Sequence, residues 1–371
     1  MNRRAFLLGT GAAALATPTL AQGSSPMRYS ALALQTVCDA VNQDSTVEDA
    51  RARMDRAINR VRGQIGSAKG FLKGFNGYDV KLVVLPEYWM TGFPLGETRE
   101  EWQDKAAIPM DGAIPDKLAG LAQALGVYLC SNHYENDEKF PDLYFQSNVI
   151  YAPNGDTVLR YRRMISLYTP SPYDVWDKYL DAYGEDAVFP VAHTEIGVLG
   201  SIASEEILYP EIARMQAFKG AEIFCHATSE VGAPTLTPKH ITKKARAIEN
   251  IAYVVSANSA EIIGTPVPSA STDGMSIVLD WYGRTLAEAN QSETLNANAV
   301  LDIGALRETR RKTGMTNTLS RLPNAAFASA YGQANHAPAN RTPNAQMIER
   351  KDAIAQQQAV IDRLVESGVL K

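Results

Sequence analysis

The chain has 371 residues, of which 45% are hydrophobic and 21% are charged, and its formal net charge is −5. This composition is typical of a globular protein with a substantial core. The negative charge and the absence of a basic stripe argue against nucleic acid as a partner. Three cysteines, Cys38, Cys130 and Cys225, are too few for a disulfide scaffold. The five histidines lack the spacing of metal ligands, so we expect neither a metal site nor a cofactor.

The first 22 residues, MNRRAFLLGTGAAALATPTLAQ, form a segment of their own. Twin arginines, Arg3 and Arg4, precede a short apolar region, and small residues follow it at Thr19 to Ala21. This pattern predicts a cleaved twin-arginine export signal and hence a periplasmic protein. The alternative, a transmembrane anchor, is disfavoured because the apolar region is too short to span a bilayer.

Apolar runs then alternate with helical patterns, separated by joints rich in proline and glycine. The runs predict strands at Tyr29–Thr36, Val80–Leu85, Val127–Ser131, Ser147–Tyr151, Ile196–Ala203, Glu222–Cys225, Ala252–Ala257 and Ser276–Asp280. The intervening segments predict helices at Val47–Ala68, Asp116–Ala124, Pro210–Lys219 and Lys239–Ile251. The alternation predicts an α/β fold, a sandwich of two sheets faced with helices.

Residues 312–371 form a C-terminal extension of different character. Residues 320–346 are rich in Asn, Ala and Pro, which predicts an extended arm. Met347–Val365 shows a weak helical pattern. This helix either packs on its own domain or contacts a second copy of the chain.

The segment Ile202–Arg214, IASEEILYPEIAR, follows a buried strand and leads into a helix, with Pro210 in the helix's first turn. It places Ser204 at the strand-to-helix turn, at the mouth of the sheet. Backbone N–H groups gather there, and nucleophiles and ligands are often found beside them. The alternative for such a serine is a turn or capping role.

Five other blocks accompany this segment in a fixed order. They are KLVVLPEYWMTGF (81–93), GDTVLRYRRMISLY (155–168), GAEIFCHATSE (220–230), RAIENIAYVVSAN (246–258) and GMSIVLDWYGRTLAEA (274–289). Together they resemble the carbon–nitrogen hydrolase family, or nitrilase superfamily, over residues 27–311. The resemblance implies a four-layer αββα sandwich and a Glu, a Lys and a Cys that converge on an amide, nitrile or carbamoyl carbon.

Only one of these three residues is retained here. Glu87 in LPEYWMTGF matches the family glutamate. Arg163 stands where the family lysine follows a Tyr-Arg pair, and Ser204 stands where the cysteine lies six residues before the Pro-Glu pair. A serine hydroxyl needs an adjacent base, a role open to Glu87, whereas a guanidinium keeps its charge but cannot act as an acid.

The resemblance predicts a hydrolase of non-peptide carbon–nitrogen bonds that forms an acyl-enzyme on Ser204. Glu87 is the expected general base, and Arg163 the expected stabiliser of the oxyanion. The alternative is an inactive relative that binds a small amide or carboxylate in the same pocket. A laboratory Cys-to-Ser change at position 204 is the least favoured alternative, because it leaves Arg163 and Asp174 unexplained.

The expected partner is a small-molecule substrate. Some candidate binding residues flank the three central positions, and Asp174 matches a second acidic residue that often follows the family lysine. Packing in the core, a surface lid or a solvated charge are the alternative roles for these side chains. Family members commonly exchange C-terminal arms, so we favour a homodimer or higher homo-oligomer. The substrate-binding candidates are Tyr88, Trp89, Asp174, Glu205, Thr228 and Ser229.

Overall fold

A computed structural model describes residues 27–334, 336–342, 344 and 349–371. The predicted export signal at residues 1–22 lies outside these residues. Across the described ranges, no helix is both long and apolar enough to span a bilayer.

Two large sheets form the centre of the molecule, with strands numbered in chain order. The first sheet contains β1 (Arg28–Ala33), β3 (Val80–Val84), β4 (Ile108–Pro109), β5 (Tyr128–Asn136), β6 (Tyr144–Tyr151), β7 (Thr157–Arg162) and β15 (Asn298–Asp302). The second contains β8 (Ala192–Thr194), β9 (Gly197–Ala203), β10 (Ile223–Ala227), β11 (Tyr253–Ala257), β13 (Ile277–Leu279) and β14 (Thr285–Glu288). A small third sheet pairs β2 (Cys38–Asp39) with β12 (Ile262–Ile263).

Helices cover the outer faces of the two sheets and form the C-terminal extension. They are α1 (Val47–Asn76), α2 (Arg99–Ala106), α3 (Ala113–Leu125), α4 (Trp176–Tyr183), α5 (Pro210–Phe218), α6 (Pro238–Asn250), α7 (Ile303–Arg311), α8 (Asn324–Gln333) and α9 (Arg350–Glu366).

The packing of β3 shows the layer order. Leu82 and Val84 belong to the core shared with β9, β10 and β11, whereas Val83 belongs to the core shared with α1 and α3. Successive side chains of a strand point to opposite faces, so β3 lies between another sheet and a helix layer. With α5 and α6 packed on the far side of the second sheet, the molecule is the expected four-layer αββα sandwich.

Parallel pairing gathers the carboxyl ends of the central strands. In the first sheet β1, β3 and β5 are parallel, and in the second β9, β10 and β11 are parallel. The two sets of carboxyl ends lie at the same edge of the sandwich, because Glu87 after β3 donates its backbone N–H to the carbonyl of Thr228 after β10, at 3.2 Å. Such an edge is where ligands bind in open α/β sheets.

All eight predicted strands and all four predicted central helices are present, with shifted ends. The first helix continues to Asn76, eight residues beyond the expected Ala68, and ends at Gly77 in the left-handed conformation. Strand β7 was not predicted, because the charges of Thr157–Arg162 hide its alternation. Half of its residues are buried against the sandwich.

The C-terminal extension differs from the expected extended arm. Asn324–Gln333 is a helix, which reflects the helix-forming alanines of NAAFASAYGQ. Further on, Arg341 Nε donates to the carboxylate of Asp174 at 2.6 Å, and Asn340 N donates to the carbonyl of Tyr173 at 3.0 Å. This part of the extension packs on its own domain, and its contact with a second copy stays a prediction.

Gly200 in β9 provides a test of the packing beneath the site. A Cβ at Gly200 would lie 2.3 Å from Oε1 of the buried Gln216, whose amide holds both the N–H and the carbonyl of Ser201. We expect Gly200→Ala to lower the free energy of unfolding by about 2 kcal/mol through overpacking.

The matched control is Gly120→Ala in α3, where an added Cβ meets nothing within 4 Å. This change should raise the free energy of unfolding by about 0.5–1 kcal/mol, because alanine is the better helix former. Urea denaturation of both variants measures the difference. Equal effects of the two substitutions would contradict the packing described around Gln216.

Candidate active site

The candidate site lies where four strands end. Glu87 comes three residues after the end of β3, Arg163 follows β7, Ser204 follows β9 and Thr228 follows β10. Three of these residues are more than nine-tenths buried and Thr228 is completely buried. Segments from distant parts of the sequence thus meet at one edge of the sandwich.

Glu87 accepts three hydrogen bonds through its carboxylate. Its Oε1 accepts from Gln146 Nε2 at 2.7 Å and from Arg163 Nη1 at 3.3 Å, and its Oε2 accepts the backbone N–H of Ser229 at 3.1 Å. A buried carboxylate is costly unless it is paired and hydrogen-bonded, and these three donors meet that requirement.

Gln146 on β6 is a site residue that the sequence analysis missed. Its Nε2 also reaches Asn132 Oδ1 at 3.2 Å, and its Oε1 accepts from Arg163 Nη1 at 2.6 Å. Gln146 therefore links the carboxylate to the guanidinium. The signal that could have revealed it is the polar run Gln146–Asn148 between apolar residues of one fully buried strand.

Arg163 forms the second link of the network. Besides Gln146 and Glu87, its Nη2 donates to Glu205 Oε1 at 2.5 Å and its Nε donates to the carbonyl of Ile165 at 2.7 Å. Because Glu205 directly follows Ser204, this contact brings the guanidinium beside the serine turn. A guanidinium stays protonated in proteins, so Arg163 supplies a fixed positive charge.

Ser204 adopts a backbone conformation that is rare for its residue type. Its φ is 50°, in the left-handed region, although it is not glycine. His226 on β10 holds the turn, because Nε2 lies 2.9 Å from the Ser204 carbonyl and Nδ1 lies 2.8 Å from Ser256 Oγ. Strained residues persist where the surrounding structure fixes them, commonly at active sites.

Glu206 joins the serine turn to the segment that carries Arg163. Its carboxylate accepts the backbone N–H groups of Ala203, Met164 and Ile165 and the hydroxyl of Tyr161, at 2.7 to 3.2 Å. Burial raises the pKa of Glu206 to about 7, against the lowering effect of Arg163 and these donors. Glu206 is a positioning residue that the sequence analysis did not assign to the site.

The other predicted binding residues divide into two groups. The first group lies in or beside the Glu87–Arg163 network and consists of Thr228, Ser229, Glu205 and Tyr88. The ring of Tyr88 stacks on that of Tyr134, with the ring centroids 5.6 Å apart. Their roles in binding stay predictions.

Two predicted binding residues are used elsewhere. Trp89 is completely buried, and its Nε1 donates to Ser131 Oγ at 3.0 Å, so it is a core residue. The carboxylate of Asp174 accepts from Ser171 and from Arg341, which leaves it part of the contact with the C-terminal extension. Neither side chain presents a free group to a substrate.

The donors to the Glu87 carboxylate show whether Ser204 is already hydrogen-bonded to its expected base. Within the described part of the chain, Gln146, Arg163 and Ser229 donate to the Glu87 carboxylate, and Ser204 Oγ does not. The serine hydroxyl also forms no other hydrogen bond among these residues. The described residues of the site therefore include a serine hydroxyl without a hydrogen-bond partner and a carboxylate that is paired with a guanidinium.

Comparison with known proteins assigns the architecture. The family model for carbon-nitrogen hydrolase matches residues 41–311. The chain belongs to the carbon-nitrogen hydrolase family. A nitrilase of Pyrococcus abyssi is 27% identical over 71% of this chain and 93% of its own length, and a formamidase of Bacillus cereus is 24% identical over 79% and 81%.

Solved structures of the carbon-nitrogen hydrolase type share the fold. A carbon-nitrogen hydrolase from Helicobacter pylori G27 has a TM-score of 0.61 at 20% identity and covers 82% of this chain and 98% of its own. The amidase NitN from Nesterenkonia sp. AN1 has a TM-score of 0.55 at 18% identity, with coverages of 82% and 99%. No group of three or more potential metal ligands occurs among the residues that the structure describes.

The burial of His226 generates a pH prediction. Burial lowers the pKa of His226 from 6.5 to about 3, with Lys243 adding to the effect, so the folded protein holds this imidazole neutral. The unfolded chain binds a proton there below about pH 6.5, so stability is lost as the pH falls from that value. Relative to His226→Gln, we expect the wild type to lose about 1.4 kcal/mol more per pH unit between pH 5.5 and 4.

Urea denaturation of both proteins at pH 7, 5.5 and 4.5 measures this difference. His193→Gln is the control, because His193 is exposed and should leave the pH dependence unchanged. An identical pH dependence in the wild type and in His226→Gln would show that His226 is not held neutral at the serine turn.

Proposed function

We propose that this chain hydrolyses carbon–nitrogen bonds of small non-peptide substrates through an acyl-enzyme on Ser204. The observation that carries the proposal is the serine turn itself. A non-glycine residue is held at φ 50° by His226, and its hydroxyl has no hydrogen-bond partner among the described residues. The buried Glu87–Arg163 pair is linked to this turn through Glu205, the next residue. The names of its relatives, a nitrilase and a formamidase, support this class of reaction.

The proposed first step is acylation of the serine. Ser204 Oγ attacks the substrate carbon, its proton passes to Glu87, and the new oxyanion lies against Arg163. The Arg163–Glu87 contact of 3.3 Å is the longest of the three on this carboxylate. A substrate oxygen that takes over Arg163 Nη1 frees Glu87 Oε1 to accept the proton, and water then hydrolyses the acyl group.

One observation favours a second candidate function. The Glu87 carboxylate receives three donors and none of them is the serine hydroxyl. An inactive relative that binds a small amide or carboxylate would use the same guanidinium and the same backbone N–H groups without acylation. The two candidates differ in whether a covalent bond to Ser204 forms.

Intact-mass spectrometry after mixing with small esters and amides distinguishes the two. We expect an acyl adduct that disappears in Ser204→Ala and forms more slowly in Glu87→Gln. Activated esters should react faster than amides, because their leaving groups need no proton. Ser204→Cys should acylate at least about tenfold faster, since a thiol is far more nucleophilic than a hydroxyl.

The hydrolase proposal fails if no adduct and no turnover appear with any substrate in the wild type. If ligands from the panel still raise the melting temperature equally in the wild type and in Ser204→Ala, the pocket is a binding site on a hydrolase fold.

We also propose that the activity is periplasmic, since residues 1–22 carry the twin-arginine pattern. N-terminal sequencing of the protein from a periplasmic fraction should begin after residue 22. Material that still begins at Met1 would contradict export with cleavage, and a replacement of Arg3 and Arg4 by lysine should retain the protein in the cytoplasm.

A further inference from the structure

Lys239, in the first turn of α6, is an ionisable side chain near the site that the mechanism above leaves unused. Its Nζ donates to Thr228 Oγ1 at 3.3 Å and to the carbonyl of Ser229 at 3.5 Å. These two residues also bind Glu87, through the Thr228 carbonyl and the Ser229 N–H. One short segment after β10 therefore contacts both Glu87 and the ammonium of Lys239.

Lys239 has no tight ionic partner in the described part of the chain. The neighbouring Lys243 is paired with Glu230 at 2.8 Å, whereas no carboxylate oxygen lies within 4.0 Å of Lys239 Nζ. The ammonium has three N–H groups and makes two hydrogen bonds, so one N–H remains available.

The surroundings of Lys239 also weaken its hold on a proton. Burial lowers the pKa of Lys239, while Glu87 and Glu230 oppose this effect and Lys243 and Arg163 add to it. The amino end of a helix also disfavours a positive charge, and Lys239 lies in the first turn of α6. Its position in the helix therefore acts in the same direction as burial. Lys239 can therefore give up a proton, which Arg163 cannot.

We propose that Lys239 is the proton donor to the leaving amine in the hydrolysis of amides by this chain. The proposal rests on the proposed function, since it requires acylation of Ser204. By resemblance, Arg163 stands at the position of the family lysine, and it cannot act as an acid. In this proposal Lys239 supplies that acid from a different element of the fold, α6.

The protons balance over the two steps. In acylation the Ser204 proton passes to Glu87, the Oγ–C bond forms and the C–N bond breaks, and the departing nitrogen takes a proton from the Lys239 ammonium. In deacylation water attacks the acyl carbon and gives a proton to the neutral Lys239 amine. The C–Oγ bond then breaks, Oγ takes the proton back from Glu87, and a carboxylic acid leaves.

Two substrates with the same acyl group test this assignment, one a primary amide and the other an activated aryl ester. The phenolate of the ester leaves without a proton, so acylation of Ser204 needs Lys239 only when the substrate is the amide. We expect Lys239→Met to lower kcat/KM for the amide by at least about 100-fold, a typical contribution of a proton donor. The rate of Ser204 acylation by the ester should stay within about threefold of the wild type.

Two further variants separate proton donation from structural effects. Lys239→Arg keeps the charge but not the acidity, so it should lose amide hydrolysis as Lys239→Met does. Lys244→Met, at an exposed lysine of the same helix, should behave as the wild type. In the wild type, kcat/KM for the amide should decline at alkaline pH as Lys239 loses its proton, and the rate of Ser204 acylation by the ester should lack this decline.

The proposal is overturned if Lys239→Met lowers kcat/KM for the amide and the rate of Ser204 acylation by the ester equally, or lowers neither. Full amide activity in Lys239→Arg would also overturn it, because charge alone would then suffice. If the wild type forms no Ser204 adduct with either substrate, the proposed function itself fails, and the role of Lys239 fails with it.

Discussion

The site depends on the hydrogen bonds that hold the buried carboxyl group of Glu87 between two sheets. Gln146 and Arg163 reach it from the first sheet and the segment after it, and the Ser229 N–H reaches it from the end of β10 in the second sheet. Removing one partner of a buried ion pair leaves an uncompensated charge and typically costs several kcal/mol. The network therefore fixes the relative position of the two sheet edges as well as the local chemistry.

The two replacements that the sequence resemblance implies have different consequences. Arg163 places a positive charge beside Glu87 and also contacts Glu205. Ser204 keeps the strained turn but requires a base, and the arginine cannot protonate a leaving amine. We infer that Lys239, which contacts the Thr228–Ser229 segment, supplies that proton.

Much of the fold and part of the site could be predicted from the sequence. Strands with continuous apolar runs, such as Ile196–Ala203, were found because parallel strands buried on both faces have this pattern. Gln146 and His226 were missed because their roles arise from pairing between strands, which a linear pattern does not encode. Trp89 was predicted to bind substrate because it is close to Glu87 in the sequence. The prediction was wrong, since closeness in the sequence does not show which face of the turn a side chain occupies.

The most direct test of this account is a crystal structure of Ser204→Ala with a small primary amide bound. The account predicts that the amide carbonyl carbon lies about 3–3.5 Å from where Oγ would be, the separation of a reactive complex. The carbonyl oxygen should face Arg163 and the nitrogen should face Lys239. An amide bound with its nitrogen turned away from Lys239, or bound away from the Glu87 network, would contradict the account.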